Sequence, residues 1–215
     1  MQINKPLISH RITLRNAKKS DLPALTSMWF DEENGKYLSD PTRQYVDGKY
    51  QAALDSIETN PHGYYLTAVL TTTEQITGSC FIFPDDKGER FEIAYCVHKA
   101  HWRKGYAAEI LALATAWAKD NGFTEITAEA AKENTASHAL LKKNGFTVIG
   151  ESKFKKYNMD IAYESYVYSL KLRACSHRSM RTSFRQNFPH TAFAIAPCVR
   201  RPCRTLGDCL TASCR

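Results

Sequence analysis

Residues 91–108 read FEIAYCVHKAHWRKGYAA, and they join three patterns in succession. The first seven residues form a mostly apolar run that is typical of a buried strand. A basic turn with Gly105 follows, and a helical repeat of apolar residues begins at Tyr106. The first amides of a helix have no intrahelical partner and the helix dipole is positive there, so this order predicts an anion-binding site. An ordinary helix start with solvated basic side chains has the same pattern.

Two helix-to-strand turns follow this segment. Residues 121–126 (NGFTEI) and 144–149 (NGFTVI) share a glycine that is typical of a helix end. The helical repeats before them run from Tyr106 to Asp120 and from Thr135 to Lys143. The order of elements from residue 90 is therefore strand, helix, strand, helix, strand. This order predicts parallel strands joined by right-handed crossovers, with a ligand site where the strands end.

The rest of the chain predicts the remaining elements around this unit. Alternating apolar residues indicate strands, and their short connections favour antiparallel neighbours. Apolar residues at a period near four indicate helices. The predicted elements are a strand at Ile12–Leu14, a helix at Asp21–Phe30 with Ser20 as its N-cap, a helix at Arg43–Thr59, strands at Tyr64–Leu70, Gln75–Phe83 and Arg90–His98, and a last strand at Tyr163–Leu172.

The composition of the 215 residues, 43% hydrophobic and 24% charged, is typical of a folded globular protein. No apolar run approaches the roughly 20 residues of a membrane span. Residues 1–11 lack the apolar core of a signal peptide. We therefore expect a cytoplasmic protein with no membrane partner.

The net charge of +7 comes entirely from residues 173–215, which hold eight Arg, no Lys and one acidic residue. Residues 1–172 carry no net charge, so nucleic acid is not expected as their partner. Five cysteines lie in 173–215, but their spacing lacks the closely paired ligands of structural zinc, and no metal site is predicted. We predict one domain over 1–172 and an Arg/Cys-rich tail over 173–215 that is disordered or a non-native appendage. An RNA- or membrane-binding arm is the alternative.

Two motifs in this chain resemble those of the GNAT superfamily of acetyl-coenzyme A-dependent N-acetyltransferases. Residues 102–107 (WRKGYA) are similar to its Gln/Arg-x-x-Gly-x-Gly/Ala pyrophosphate loop, with Trp first as in the branch that acetylates ribosomal-protein N-termini. Residues 134–146 (NTASHALLKKNGF) are similar to its Asn-x-x-Ser...Lys-x-Gly-Phe segment. The resemblance covers about residues 10–172 in element order. It implies an α/β (α+β) GNAT fold, with a mixed, mostly antiparallel twisted sheet, a central splayed pair of parallel strands, and helices on both faces.

The resemblance also implies the ligand, which is acetyl-CoA as the acetyl donor, with no metal. Backbone groups of Cys96 and Val97 would pair with pantetheine where the two parallel strands splay apart. Asn134 would hydrogen-bond the pantetheine arm, cap its own helix, or do both. The pyrophosphate would be held by the backbone amides of Arg103, Lys104, Gly105, Tyr106, Ala107 and Ala108.

The reaction needs a neutral amine and a stabilised leaving thiolate. Glu92 lies on a run that resembles the base-bearing strand of histone-type acetyltransferases, and it is the candidate base. A Glu that faces solvent or pairs with a Lys is the alternative. Leu141 occupies the position where many GNAT enzymes carry a Tyr that acts as the acid. The acid role is therefore vacant, filled by water, or moved to Ser137, which also suits the first turn of a helix.

These residues predict an N-acetyltransferase that moves acetyl from acetyl-CoA to a primary amine by direct attack in a ternary complex. The acceptor is a protein N-terminus, a polyamine or an antibiotic amine, and dimerisation stays open. The alternatives are a non-catalytic acyl-CoA-binding module, which the missing Tyr at Leu141 favours, and a nucleic-acid-binding protein that acts through the tail. Aromatic candidates for an acceptor pocket are Trp29, Phe30, Tyr37, Tyr64 and Tyr65.

Overall fold

The structure, a computed structural model, describes residues 1–42 and 46–172. The strands in these residues are β1 (Leu7–Ile8), β2 (Ile12–Asn16), β3 (Tyr64–Leu70), β4 (Ile76–Pro84), β5 (Arg90–Val97), β6 (Glu125–Ala131), β7 (Thr147–Lys155) and β8 (Ala162–Lys171). The α-helices are α1 (Leu22–Trp29), α2 (Gly48–Asp55), α3 (Tyr106–Asp120) and α4 (Thr135–Lys143).

All eight of these strands form one sheet, in the spatial order β1-β2-β3-β4-β5-β6-β8-β7. Within this part of the chain, β5 and β6 are the parallel pair, and every other neighbouring pair is antiparallel. The predicted mixed, mostly antiparallel sheet with a central parallel pair is therefore confirmed.

Alternating side chains of the sheet build a separate apolar core on each face. On one face Ile93 of β5 packs in a cluster with Ile110 and Leu111 of α3. On the other face Cys96 of β5 packs in a cluster that includes Trp29 of α1 and residues of α2. The expected helices on both faces are thus confirmed, and β5 contributes to both cores.

The prediction of parallel neighbours at both crossovers was wrong for the second one. Strand β7 follows α4, but β8 lies between β6 and β7 and pairs antiparallel with both. Strand β8 is tied to β6 by polar contacts as well as by the ladder, since Ser169 and Lys171 both contact Glu125. Strand β7 has mostly exposed side chains, which suits an edge position.

Two predicted helices have different limits in the structure. Helix α2 begins at Gly48, where the Asp47 side chain accepts a hydrogen bond from the Tyr50 amide at 2.8 Å, and it ends at Asp55. The predicted helix at 43–59 was therefore too long, and residues 43–45 lie outside the described residues. Ser20 does not cap α1, because it lies in a 3-10 turn over 19–21.

Helices α3 and α4 have the predicted limits, as does strand β3. The predicted tail at 173–215 lies outside the described residues, so its assignment stays a prediction. Across the two described ranges, every helix is too short or too polar to cross a membrane.

Replacing Gly78 by Ala is expected to lower the free energy of unfolding by roughly 2 kcal/mol, because the added methyl group overpacks the sheet. Gly78 faces the β5 backbone so closely that a Cβ would lie 2.3 Å from the Cys96 carbonyl oxygen. Urea unfolding measures the loss. Gly150→Ala is the matched control, since Gly150 is also a strand glycine but has no atom within 4 Å of a built Cβ. Equal effects of the two substitutions would contradict the close-approach argument.

Candidate active site

The central feature of the site is a gap between the two parallel strands. Strands β5 and β6 pair over three residues, the last pair being Glu92 and Thr127. Beyond this pair β5 continues along β4, and β6 continues along β8. The gap opens into a cavity of about 650 Å³.

The cavity is enclosed by four parts of the chain. They are the end of β5, the turn that leads into α3, the end of β6 with the first turn of α4, and the segment after α1. Most of the residues predicted from the sequence meet here: Cys96, Val97, Arg103, Gly105, Tyr106, Ala107, Ala108, Asn134 and Ser137. Lys104 and Glu92 are not part of the lining. The Lys104 ammonium bonds the Ala100 carbonyl at 3.0 Å.

The turn before α3 has the backbone shape of an anion cradle. Gly105 has a φ of 85°, and Arg103 has a φ of 64°, which is uncommon for a residue with a side chain. Left-handed residues in a turn direct successive N–H groups to one side. The first bonds of the helix are donated by the amides of Ala108 and Glu109 to the Gly105 carbonyl, at 3.1 and 3.3 Å. The amides of Tyr106 and Ala107 lie before the first of these donors in the chain, at the end of the helix that lines the cavity. Amides at such positions have no partner within the helix.

The carboxylate of Glu109 near this end of the helix is paired with neighbouring donors, so the end stays favourable for an anion. Glu109 lies in the first turn of α3, where Ser9 donates to it at 2.7 Å and Arg11 at 2.6 Å. Although burial acts to raise it, the pKa of the Glu109 carboxyl is lowered, because both donors favour the charged form. The guanidinium of Arg11 also lies 4.9 Å from the centre of the Tyr106 ring.

The end of β5 presents backbone groups to the gap. The His98 amide donates to the carbonyl of Thr77 in β4 at 2.8 Å. Backbone groups alternate sides along a strand, so those of Val97 and Tyr95 face the gap. Those of Cys96 face β4 instead, away from the gap where the sequence predicted that they pair with pantetheine. The Val97 carbonyl accepts a hydrogen bond from the Trp102 indole at 2.7 Å.

The thiol of Cys96 is buried and contacts the side chain of Asn34, a residue that was not predicted from the sequence as part of the site. The Asn34 side chain donates to the Cys96 sulfur at 3.1 Å, and its oxygen accepts from the Lys99 amide. Burial raises the pKa of the Cys96 thiol to about 12, so the thiol is protonated at neutral pH. This environment does not favour nucleophilic catalysis by Cys96.

The first turn of α4 and the end of β5 bring two hydroxyl groups together in the cavity. Asn134 caps the helix, because its side chain accepts from the Ser137 amide at 3.1 Å. The Ser137 hydroxyl lies 2.9 Å from the Tyr95 hydroxyl. Burial raises the pKa of Tyr95 to about 12, although the bond with Ser137 acts the other way. Leu141 is fully buried in the core.

Three carboxylates are among the residues that line the cavity. They are Glu33 after α1, Glu129 on β6 and Glu133 before α4. Glu129 accepts a hydrogen bond from the Ser165 hydroxyl. Glu92 is half-buried on the neighbouring strand. Glu129 was not predicted as a site residue, although it alternates with the apolar Ala128 and Ala130 along β6 and so lies on the opposite sheet face from them.

The wall formed by residues 31–40 is held by one buried lysine. The Lys156 ammonium donates to the carbonyls of Gly35, Leu38 and Asp40 at 2.7, 2.7 and 3.2 Å. Burial lowers the pKa of Lys156 to about 8, and the charge of Asp40 acts in the opposite direction. Because Leu38 lines the cavity, Lys156 fixes the position of this wall from behind.

The aromatic candidates for an acceptor pocket separate into two groups. Tyr37 lines the cavity and packs against Tyr163, with ring centres 5.7 Å apart. Trp29 and Tyr65 are buried in the core. Residues 1–42 and 46–172 contain no group of three or more His, Cys, Asp and Glu that is placed to hold a metal ion.

Comparison with protein families identifies one match. The family model described as "Acetyltransferase (GNAT) domain" matches residues 11–147. The chain is also similar to the uncharacterized N-acetyltransferase p20 of Bacillus licheniformis, with 28% identity over 148 residues that cover 65% of this chain and 81% of that protein.

Solved structures of similar fold include two acetyltransferases that act on a ribosomal protein. One is RimL, a ribosomal L7/L12 alpha-N-protein acetyltransferase in complex with coenzyme A, at a TM-score of 0.66, 19% identity and a coverage of 80% of this chain and 100% of that one. The other, from Salmonella typhimurium, modifies the N-terminal serine of L7/L12 and has a TM-score of 0.64, 16% identity and a coverage of 79% and 100%. These likenesses show the shared fold.

Lys156→Met is expected to lower the free energy of unfolding by about 2 to 4 kcal/mol, because three carbonyl groups lose their common donor. Urea unfolding followed by circular dichroism measures the change. Lys153→Met is the matched control, because the Lys153 side chain is 73% exposed and pairs with Glu164 at the surface, where the loss is expected to stay below about 1 kcal/mol. A Lys156 variant as stable as this control would contradict the role of the buried ammonium.

Proposed function

Because the chain belongs to the GNAT acetyltransferase family, we propose that it transfers acetyl from acetyl-CoA to a primary amine by direct attack in a ternary complex. Family membership makes the chain an acyltransferase. The observation that carries the proposed reaction is the gap between β5 and β6, which opens beyond Glu92 and leads to the start of α3.

The gap suits a pantetheine arm. The exposed edge of β5 offers backbone donors and acceptors that an amide-bearing chain can pair with, as a further strand would. The Val97 carbonyl is shared with Trp102, so the Val97 amide and the Tyr95 backbone are the groups left to meet such a chain. Asn134 closes the other side of the gap from the start of α4.

The turn before α3 suits a pyrophosphate. Left-handed Arg103 and Gly105 shape a concave backbone, and the amides of Tyr106 and Ala107 add the first free donors of the helix. The Ala108 amide bonds the Gly105 carbonyl, so it contributes through the helix dipole rather than as a free donor. Lys104 lies outside the cavity lining and adds charge at longer range.

The carboxylates of the cavity suit an acceptor that arrives as a cation. Glu33, Glu129 and Glu133 line the cavity. Near pH 7.4 the deprotonation of a lysine-like amine, with a pKa of ~10.4, costs about 4 kcal/mol of free energy. The deprotonation of an α-amine, with a pKa of ~7.8, costs less than about 1 kcal/mol. A peptide N-terminus is therefore the favoured acceptor, in keeping with the alpha-N-protein acetyltransferase activity of the structurally similar RimL. A polyamine or an antibiotic amine requires a more effective base.

The proposed chemistry divides the remaining roles among three side chains. Glu129 in the cavity attracts the ammonium form of the acceptor. Glu92, on the adjoining strand, takes the proton of the amine through a water molecule. The neutral nitrogen attacks the thioester carbon, the C–S bond breaks, and Ser137 donates a hydrogen bond to the leaving sulfur.

The purified protein is expected to release CoA thiol from acetyl-CoA only when an amine is added, because transfer occurs by direct attack. A panel of peptides with free N-termini, a polyamine and an aminoglycoside, followed with a thiol reagent and by mass spectrometry, measures the release and identifies the product. An absence of amine-dependent thiol release across the panel would overturn the proposed function, and acetyl-CoA binding without release would favour a non-catalytic acyl-CoA-binding module instead.

In the same assay, Gly105→Ala tests the cradle. We expect the KM for acetyl-CoA to rise about tenfold, because a methyl group at this left-handed position reshapes the turn and meets the Arg11 guanidinium at 3.2 Å. Gly88→Ala is the control, because Gly88 has a φ of 66° but no atom within 4 Å of a built Cβ. It carries the same backbone penalty away from the cavity.

Glu92→Gln and Glu129→Gln are expected to affect different constants. Loss of the base should lower kcat about 100-fold in the Glu92 variant and leave both KM values unchanged. Loss of a carboxylate at the acceptor should raise the amine KM about tenfold in the Glu129 variant, with kcat within about threefold. Steady-state kinetics separate the two effects. If the large kcat loss appears in the Glu129 variant instead, Glu129 is the base and the role of Glu92 is wrong.

A further inference from the structure

Tyr95 is a cavity residue to whose side chain the reaction described above gives no task. It lies on β5 opposite Cys80 of β4, and its ring packs against the core that α3 and α4 cover. The Tyr95 hydroxyl reaches the first turn of α4 and lies 2.9 Å from the Ser137 hydroxyl, a contact between residues 42 positions apart in the chain. Both side chains line the cavity.

Building on the proposed function, we propose that Tyr95 is a positioning residue for the leaving-group step: its hydroxyl donates to the Ser137 oxygen and so directs the Ser137 proton toward the sulfur of CoA. Tyr95 touches Ser137 and not the reacting atoms. Together, the hydroxyls of Tyr95 and Ser137 replace the tyrosine hydroxyl that many GNAT enzymes carry at the position of Leu141.

The proposed role requires one direction of this hydrogen bond, with Tyr95 as the donor. A serine hydroxyl has a single proton and two lone pairs, so it can donate to only one partner at a time. If Ser137 donated to Tyr95, it would have no proton left for the sulfur. The phenol of Tyr95 stays protonated at neutral pH, because its pKa lies far above 7, and it therefore has a proton to donate.

The position of Ser137 is fixed from two sides. Its amide donates to the Asn134 side chain at 3.1 Å, which anchors the backbone of the first turn of α4. Its hydroxyl then meets Tyr95, which extends from the end of β5 that faces the gap. A free serine side chain has three staggered rotamers, and the Tyr95 bond selects the one seen here.

The acetyl-transfer step balances without a net proton transfer through Tyr95 and Ser137. The nitrogen forms its bond to the carbonyl carbon, and the electron pair of the C–S bond moves to sulfur. The proton that the amine loses to the base balances the proton that the thiolate takes up from water. A cysteine-like thiol has a pKa near 8.5, so a directed hydrogen bond is sufficient help for a leaving thiolate of this kind while the charge develops.

A double-mutant cycle tests this inference. Tyr95→Phe and Ser137→Ala are each expected to lower kcat about tenfold, with the KM for acetyl-CoA and for the amine within about twofold, because the bond acts on the developing thiolate. The double variant is expected to match Ser137→Ala alone. Non-additivity of this kind is the signature of residues that act through one another.

Tyr168→Phe is the matched control. Its hydroxyl lies 2.9 Å from the ring of His138, which adjoins Ser137 on α4, but Tyr168 is buried outside the cavity lining. The control removes a phenol bond to the same helix, so it should leave kcat within about twofold. Thermal unfolding of each variant detects any loss of structure.

The outcomes are distinct. Losses that multiply in the double variant, or an unchanged kcat in Tyr95→Phe, overturn the inference while the wild-type activity upholds the proposed function. An equal loss in Tyr168→Phe assigns the effect to the stability of α4 and also overturns it. A wild-type protein without amine-dependent thiol release overturns the proposed function, and this inference with it.

Discussion

The structure depends on the parting of two parallel strands. Strands β5 and β6 remain paired only as far as Glu92 and Thr127, since each then follows its antiparallel neighbour on the other side. Polar backbone groups need partners, and the end of β5 keeps a row of them on the side that β6 has left. A cavity of about 650 Å³ forms at that place, and the start of α3 directs its amides and dipole into one end. The sheet topology thus provides a strand edge that can pair with the amide groups of a ligand. It also provides a helix N-terminus that can bind an anion.

The cavity wall formed by residues 31–40 is built by different means. Residues 31–40 have no long helix or strand, and they are held by side chains from distant parts of the chain. Lys156 donates to three of their carbonyl groups, Asn34 joins them to Cys96, and Tyr163 donates to the Lys36 carbonyl at 2.8 Å. In the proposed function, donor binding therefore relies on regular backbone geometry, whereas the wall formed by residues 31–40 relies on individual side-chain bonds. Such a wall can change its shape by a few substitutions while the sheet stays intact.

Local pattern predicted much of this architecture, and long-range contacts explain most of the differences. Helices α3 and α4 had the expected limits because strong periodicity precedes a glycine stop, and the glycine turn between β5 and α3 carried the phosphate prediction. The place of β7 was missed, because sequence order does not reveal that β8 inserts beside β6. Tyr95, Asn34 and Lys156 act through partners 42, 62 and about 120 positions away, and no local pattern indicates such contacts.

The link between Trp102 and the Val97 carbonyl has a practical consequence for spectroscopy. The chain has three tryptophans. Trp29 is shielded in the core, and Trp117 packs among aromatic rings on α3, whereas Trp102 is 42% exposed at the rim of the cavity. Indole emission depends on the polarity around the ring, so Trp102 is an intrinsic fluorophore at the mouth of the site. We expect its signal to report occupancy in solution without a label, against the emission of the buried Trp29 and the half-buried Trp117.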